Sequence, residues 1–163
     1  MKKSTLYLIK AAIIAALYVI LTYLSGLFGL SSGFIQLRIS EMLTVLPAFT
    51  PAAIPGLFAG CLISNTLTGC NLIDIIFGST ATLLGALGTF FIGKKSKFIA
   101  PIPPVIANTI IVPFILHYAY GINPLWLFFI TVFAGEFLSA YVLGIPFFIF
   151  IKKNQKRLGL SDN

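Results

Sequence analysis

Glu41, Asp74 and Glu136 are acids set in or beside long apolar runs, and Asn65, Asn71 and Asn108 lie in comparable surroundings. A carboxylate offers two acceptor oxygens side by side. It can therefore take two adjacent N–H donors at once, in charge-assisted hydrogen bonds that strengthen when water is excluded. A side-chain amide supplies one donor face and one acceptor face, and a guanidinium such as that of Arg38 supplies donors only. Together these groups suit gripping a small polar molecule rather than breaking its bonds. The sole histidine, His117, has no nucleophile motif nearby, and Cys61 and Cys70 lack metal-ligand spacing, so no catalytic residue, metal or cofactor is expected.

Each of these residues also has a purely structural role open to it. Arg38 and Glu41 are three residues apart and can neutralise one another at a helix start. Asn71 or Asp74 can cap the helix that follows. Asn65 can bind two helices together. Trp126 suits a membrane-interface belt or a stacking platform. Glu136 has the fewest such alternatives, because an acid deep in an apolar run needs a partner, a proton or a ligand.

The elements that must hold these residues belong to a membrane. Hydrophobic residues make up 58% of the 163-residue chain and charged residues 9%, whereas soluble domains carry about 25% charged residues. Every Lys and Arg except Arg38 falls in a cluster: Lys2, Lys3 and Lys10; Lys94, Lys95 and Lys97; Lys152, Lys153, Lys156 and Arg157. Short positive loops stay on the cytoplasmic side. The net charge of +7 is explained by those loops, so nucleic acid is not an expected partner. Of the acids, Asp162 alone lies in a polar tail.

Hydropathy predicts a single transmembrane domain over 1–163 with six segments, at about 5–28, 36–50, 52–67, 72–92, 98–118 and 125–151. The basic clusters then fall before the first, between the fourth and fifth, and after the sixth. An even number of crossings puts both termini in the cytoplasm of a bacterial cell, with Glu136 about 16 Å deep and the acids and amides gathered toward the outer face. The second and third segments, each about 22 Å as a helix, are short for a bilayer and are separated by Pro47, Pro51 and Pro55. Two tilted helices or a re-entrant hairpin would serve equally. Gly88 to Lys95 nearly spells a phosphate-binding loop but lacks the closing Ser or Thr and the preceding strand.

Small residues recur at helical spacing as Ala11/Ala15 and Ala12/Ala16 in the first segment and as Gly56/Gly60 in the third. Such faces let membrane helices approach closely, within a chain or between chains.

The order of features resembles the substrate-binding S components of energy-coupling-factor (ECF) transporters, and more specifically the QueT family. The residues that carry the likeness are the Arg-x-Ser-Glu segment from Arg38 to Glu41 with Pro47 beyond it, the Asn-x-x-Asp-x-x-Phe-Gly segment from Asn71 to Gly78, and Gly135–Glu136. The resemblance implies an all-α integral membrane protein, a six-helix S-component bundle with cytoplasmic termini. It further implies capture of a queuosine precursor of 7-deazaguanine type, with Arg38, Glu41, Asn65, Asn71, Asp74, Trp126 and Glu136 as candidate binding residues and Trp126, Tyr118, Tyr120 and Tyr141 as candidate stacking rings. The expected partners are lipid, a transmembrane coupling subunit docking on Ala11, Ala12, Ala15 and Ala16, and two ATPases. The alternative is a solitary proton-coupled secondary transporter using Glu136 or Asp74.

Overall fold

The computed structural model describes residues 3–30, 37–121 and 123–160. Lys2, Asp162 and the first residue of the predicted second segment lie outside them. Six α-helices form the frame: α1 (Lys3–Leu27), α2 (Ala53–Leu67), α3 (Leu72–Ile92), α4 (Ile102–Tyr120), α5 (Leu125–Glu136) and α6 (Gly144–Asn154). A π-helical stretch, Phe137–Val142, joins α5 to α6, so Leu125–Asn154 is one continuous 30-residue apolar helix. That run, α1, α3 and α4 are each long and apolar enough to cross a membrane. Their outward faces carry large apolar side chains such as Leu8, Phe91 and Ile130, the surface that lipid rather than water requires.

The predicted fifth segment starts later than its hydropathy. Residues 98–101 form turns, and α4 begins at Ile102 with Pro103 in its first turn, where a missing backbone N–H costs nothing.

The predicted second segment is the main surprise. Ile39–Ala48 is a ten-residue 3₁₀ helix, although such runs rarely exceed three or four residues. Two local features disfavour the α form: Pro47 removes a donor, and Thr44 Oγ1 donates to the Glu41 carbonyl at 2.6 Å. Packing then supports the form adopted. Ser40, Glu41 and every residue from Leu43 to Ala48 are buried, and α1, α2, α3, α6 and the π stretch all contact the segment. It is the central post of the bundle. It descends antiparallel to α1, from Ile39 N–H donating to Ser25 Oγ at 2.8 Å down to the Pro51 carbonyl, which accepts from the Tyr7 hydroxyl at 3.4 Å. Those contacts span ~27 Å of α1.

The chain then returns along α1 as α2. A Cβ on Gly56 would lie 2.7 Å from the Ala11 carbonyl oxygen, and one on Gly60 would lie 2.8 Å from Tyr18 Cβ and 3.0 Å from the Ala15 carbonyl oxygen. The two helices thus touch backbone to backbone, and the glycine pair packs inside the protein. This divides the four alanines expected to dock a partner. Ala15 is buried and Ala11 half-buried against α2, whereas Ala12 and Ala16 are exposed.

The basic clusters meet at one end of the bundle. Lys10 Nζ donates to the Gly159 carbonyl, and Lys95, Lys97, Lys152 and Lys153 line a common groove. Glu41, Asp74 and Glu136 sit toward the opposite end.

Candidate functional site

Two adjacent chambers lie at and below the end of the bundle remote from the lysines. The outer one, about 490 Å³, is lined by the last turns of α1, α2 and α4 and the first turn of α3, and includes Arg38, Asn65, Thr68, Asp74 and Tyr120. The inner one, about 40 Å³, is lined by Arg38, Glu41, Asp74, Thr82, Asn108 and Glu136, with apolar neighbours. Arg38, Asp74 and Leu116 belong to both and form the partition.

Asp74 owes its place to the start of α3. Asn71 caps that helix, its Oδ1 accepting from Ile73 N–H at 3.0 Å, and its Nδ2 donates to the Ala119 carbonyl at 3.3 Å. Asp74 then lies in the first turn, where the helix dipole favours negative charge. Its Oδ2 accepts from the Tyr120 hydroxyl at 3.2 Å, and that hydroxyl accepts from Asn71 N–H at 3.1 Å. Gly78, one turn on, leaves the space that Asp74 and Asn65 fill: a Cβ there would be 2.9 Å from Asp74 Oδ1 and 3.3 Å from Asn65 Nδ2. Asn65 is 1% exposed, and its Oδ1 accepts from the Arg38 guanidinium at 3.4 Å while its Nδ2 points at Cys61 Sγ.

α3 and α4 supply Asp74, Thr82 and Asn108 to the inner chamber, and its two glutamates sit on or next to irregular helix. Glu41, on the 3₁₀ post, is 2% exposed; Tyr18 donates its hydroxyl to Glu41 Oε1, and Oε2 has no hydrogen-bond partner among the described residues. Glu136 closes α5 directly before the π stretch, and its Oε2 likewise lacks a partner among those residues. The widened turn after it brings Ser139 against the post, where Ser139 Oγ accepts from Arg38 N–H at 3.1 Å. Buried polar groups nearly always find a partner, and those that do not mark sites under functional demand or missing a ligand.

Of the residues singled out in the sequence, Arg38, Glu41, Asn65, Asp74 and Glu136 converge here, and so does Asn108. Asn71 lines neither chamber and acts as a cap. Trp126 is 64% exposed and lines neither. Among the candidate rings Tyr120 lines the outer chamber, Tyr118 faces outward at 73% exposure, and Tyr141 stacks on Phe137. Sequence reasoning missed Tyr18, Thr22, Ser40 and Ser139. A signal for the first two was present: Ala11, Ala15, Tyr18, Thr22 and Ser25 alternate four and three residues apart, the spacing of one helix face.

Comparison with known proteins fits this geometry. The profile described as QueT transporter matches residues 8–153. Among curated proteins, the Queuosine precursor transporter QueT of Lactococcus lactis subsp. cremoris (strain MG1363) is 46% identical over 85 residues, 52% of this chain and 50% of that protein. The aligned stretch thus spans about half the length of that relative. No solved structure matches the chain. With a match that runs from α1 to α6 and takes in every polar residue of both chambers, the chain belongs to the QueT transporter family and is a multi-pass membrane protein.

Proposed function

We propose that the protein is the substrate-binding subunit of an ECF-type importer and captures a queuosine precursor in the two-chamber site. The observation that carries this reading is the convergence of Asp74, Asn65, Arg38 and Tyr120 around a cavity of about 490 Å³ at the end opposite the lysines. The Asp74 carboxylate suits the adjacent N–H donors of a guanine-like edge, the Asn65 amide suits its carbonyl or a ring nitrogen, and Tyr120 offers a ring beside them. The positive-inside rule places the lysine end in the cytoplasm and opens the cavity to the outside. The exposed Ala12/Ala16 face of α1 suits close contact with a coupling subunit, and two ATPases supply the energy for uptake.

Thermal-shift and mass-spectrometric screens of the purified protein against deazaguanines, purines and B vitamins test the cargo. Selective stabilisation by deazaguanines is expected, and selective binding of any other class overturns the assignment. Orientation is tested by single cysteines in a Cys-free background. A cysteine at Lys95 should resist an impermeant thiol reagent applied to whole cells and one at Asn123 should react; the reverse pattern inverts the site.

The unpartnered oxygens of Glu41 and Glu136 favour one second reading, a solitary proton-coupled transporter. Uptake by vesicles holding only this chain, driven by a proton gradient without ATP, would select it.

A further inference from the structure

The lysine end of the bundle holds a groove of about 540 Å³, apart from the two chambers. Lys95, Ser96 and Lys97 reach it from the segment after α3, and Lys152 and Lys153 from the last turn of α6. Four positive charges thus share one hollow. A helix C-terminus offsets about half a charge, so the ends of α3 and α6 leave most of that charge unanswered. No carboxyl group lines the groove among the described residues. Glu41, Asp74 and Glu136 line the inner chamber instead, and Lys97 rests over the Phe98 ring, 5.0 Å from its centre. Ser96 Oγ accepts from Phe98 N–H at 3.2 Å, which leaves its hydroxyl proton to donate. The groove therefore offers ammonium and hydroxyl donors and calls for an anion.

The rest of the lining says which kind. Phe148 is buried, its ring centre 4.6 Å from that of Phe49, and forms the floor. Ile149 beside it is exposed on the helix Leu125–Asn154, which is long and apolar enough to cross a membrane. The groove thus runs from lysines at two helix ends, the level of lipid headgroups, onto a surface that faces acyl chains. A free phosphate would answer the lysines and leave Ile149 bare. An anionic phospholipid answers both at once, and basic pockets between membrane helices suit such headgroups.

We propose that this groove binds the headgroup of an anionic phospholipid, and that cardiolipin, which brings two phosphates to four lysines, fits it best. Phosphate oxygens accept from Lys95, Lys97, Lys152, Lys153 and the Ser96 hydroxyl, the glycerol lies over Phe148, and an acyl chain runs along Ile149. The bound lipid ties the segment after α3 to the end of α6. None of this depends on the cargo.

The test is native mass spectrometry and thermal melting of the purified full-length protein in neutral detergent, with cardiolipin, phosphatidylglycerol or phosphatidylcholine added. Cardiolipin and then phosphatidylglycerol should stay bound and raise the melting temperature, and phosphatidylcholine should do neither. Lys152→Gln with Lys153→Gln should lower the affinity for cardiolipin roughly tenfold to thirtyfold, given about fivefold for each lysine near an anionic headgroup. Lys156→Gln with Arg157→Gln, outside the groove, should change it little. Equal loss from both pairs would mean diffuse attraction to a basic tail and overturns the site. Equal retention of the three lipids by the native protein overturns it too, and that comparison does not depend on any variant folding. Stabilisation by inorganic phosphate as large as that by cardiolipin would make the groove a soluble-anion site and overturn the lipid assignment. If the Lys152→Gln, Lys153→Gln variant keeps its cardiolipin but loses uptake in cells, the groove serves a protein partner and the lipid assignment falls.

Discussion

The outer chamber is walled by the ends of regular helices, and its polar groups answer one another. Tyr120 donates to Asp74, Arg38 donates to Asn65, and Asn71 ties α3 to the end of α4. The inner chamber adds a 3₁₀ post and a helix about to widen into a π turn to the walls of α3 and α4, and among the described residues two of its carboxylate oxygens go unanswered. The same family of side chains thus serves two ends. In the outer chamber the polar groups form a finished surface, which on the proposed function would orient a ligand at little cost in reorganisation. In the inner chamber they form an unfinished surface, which on that reading a ligand would complete. Discrimination among related molecules should therefore concentrate in the inner chamber, because an unpaired buried group penalises any ligand that fails to satisfy it.

The sharpest way to break this contrast is Glu136→Gln. Removing one charged acceptor should cost about 1.5–3 kcal/mol of binding, or roughly tenfold to a hundredfold in affinity, with membrane insertion unchanged. Titration of the purified variant checks it, and unaltered affinity would show that the inner chamber does not read the cargo.

A slightly smaller effect, on stability, should follow from Gly60→Val. Its Cβ would fall 2.8 Å from Tyr18 Cβ, and overpacking of this kind costs about 1–3 kcal/mol. The strain bears on the residue that holds Glu41, so the variant should melt lower and lose affinity together. Melting that falls without any change in affinity would uncouple the α1–α2 seam from the inner chamber.

Tyr120→Phe removes a single donor from Asp74 and keeps the ring. A hydrogen bond to a carboxylate contributes about 1.5–3 kcal/mol, but this one is long at 3.2 Å, part-buried, and orients Asp74 within the protein, so affinity should fall no more than about tenfold. A loss larger than that of Glu136→Gln would reverse the ranking of the chambers.

Ala12→Leu should do least to the isolated protein. The side chain is exposed on α1, so melting and ligand binding should stay unchanged while transport by the assembled importer falls. Lost binding in the isolated protein would place Ala12 in the protein's own packing.

Much of the frame was legible because length and apolarity decide it. α1, α3 and α4 stand close to where the hydropathy puts them, and the 125–151 run is continuous to Asn154. The acids were legible for the same reason: a charge in an apolar run stands out against its neighbours. Less legible was the form of the second segment. A ten-residue apolar stretch with Pro47 reads as a short helix of any pitch, and burial on all sides by α1, α2, α3, α6 and the π stretch is a tertiary fact. Tyr18 escaped notice because a lone tyrosine in an apolar helix resembles an interface residue until Glu41 is placed opposite it. Trp126 is 64% exposed and lines neither chamber, and an aromatic at a helix start carries no mark in sequence of the direction it faces.

The two alanine pairs on α1 are one residue out of phase and look alike in sequence, yet they answer to different masters. Ala11 and Ala15 are held by the backbone of α2, so any drift there must be matched by compensating change within the same gene. Ala12 and Ala16 face away from the protein's own packing, and on the proposed docking of a coupling subunit their drift would be tied to a different gene, that of the partner. One helical turn would then carry two separate constraints, and a substitution one position along would move a change from one to the other.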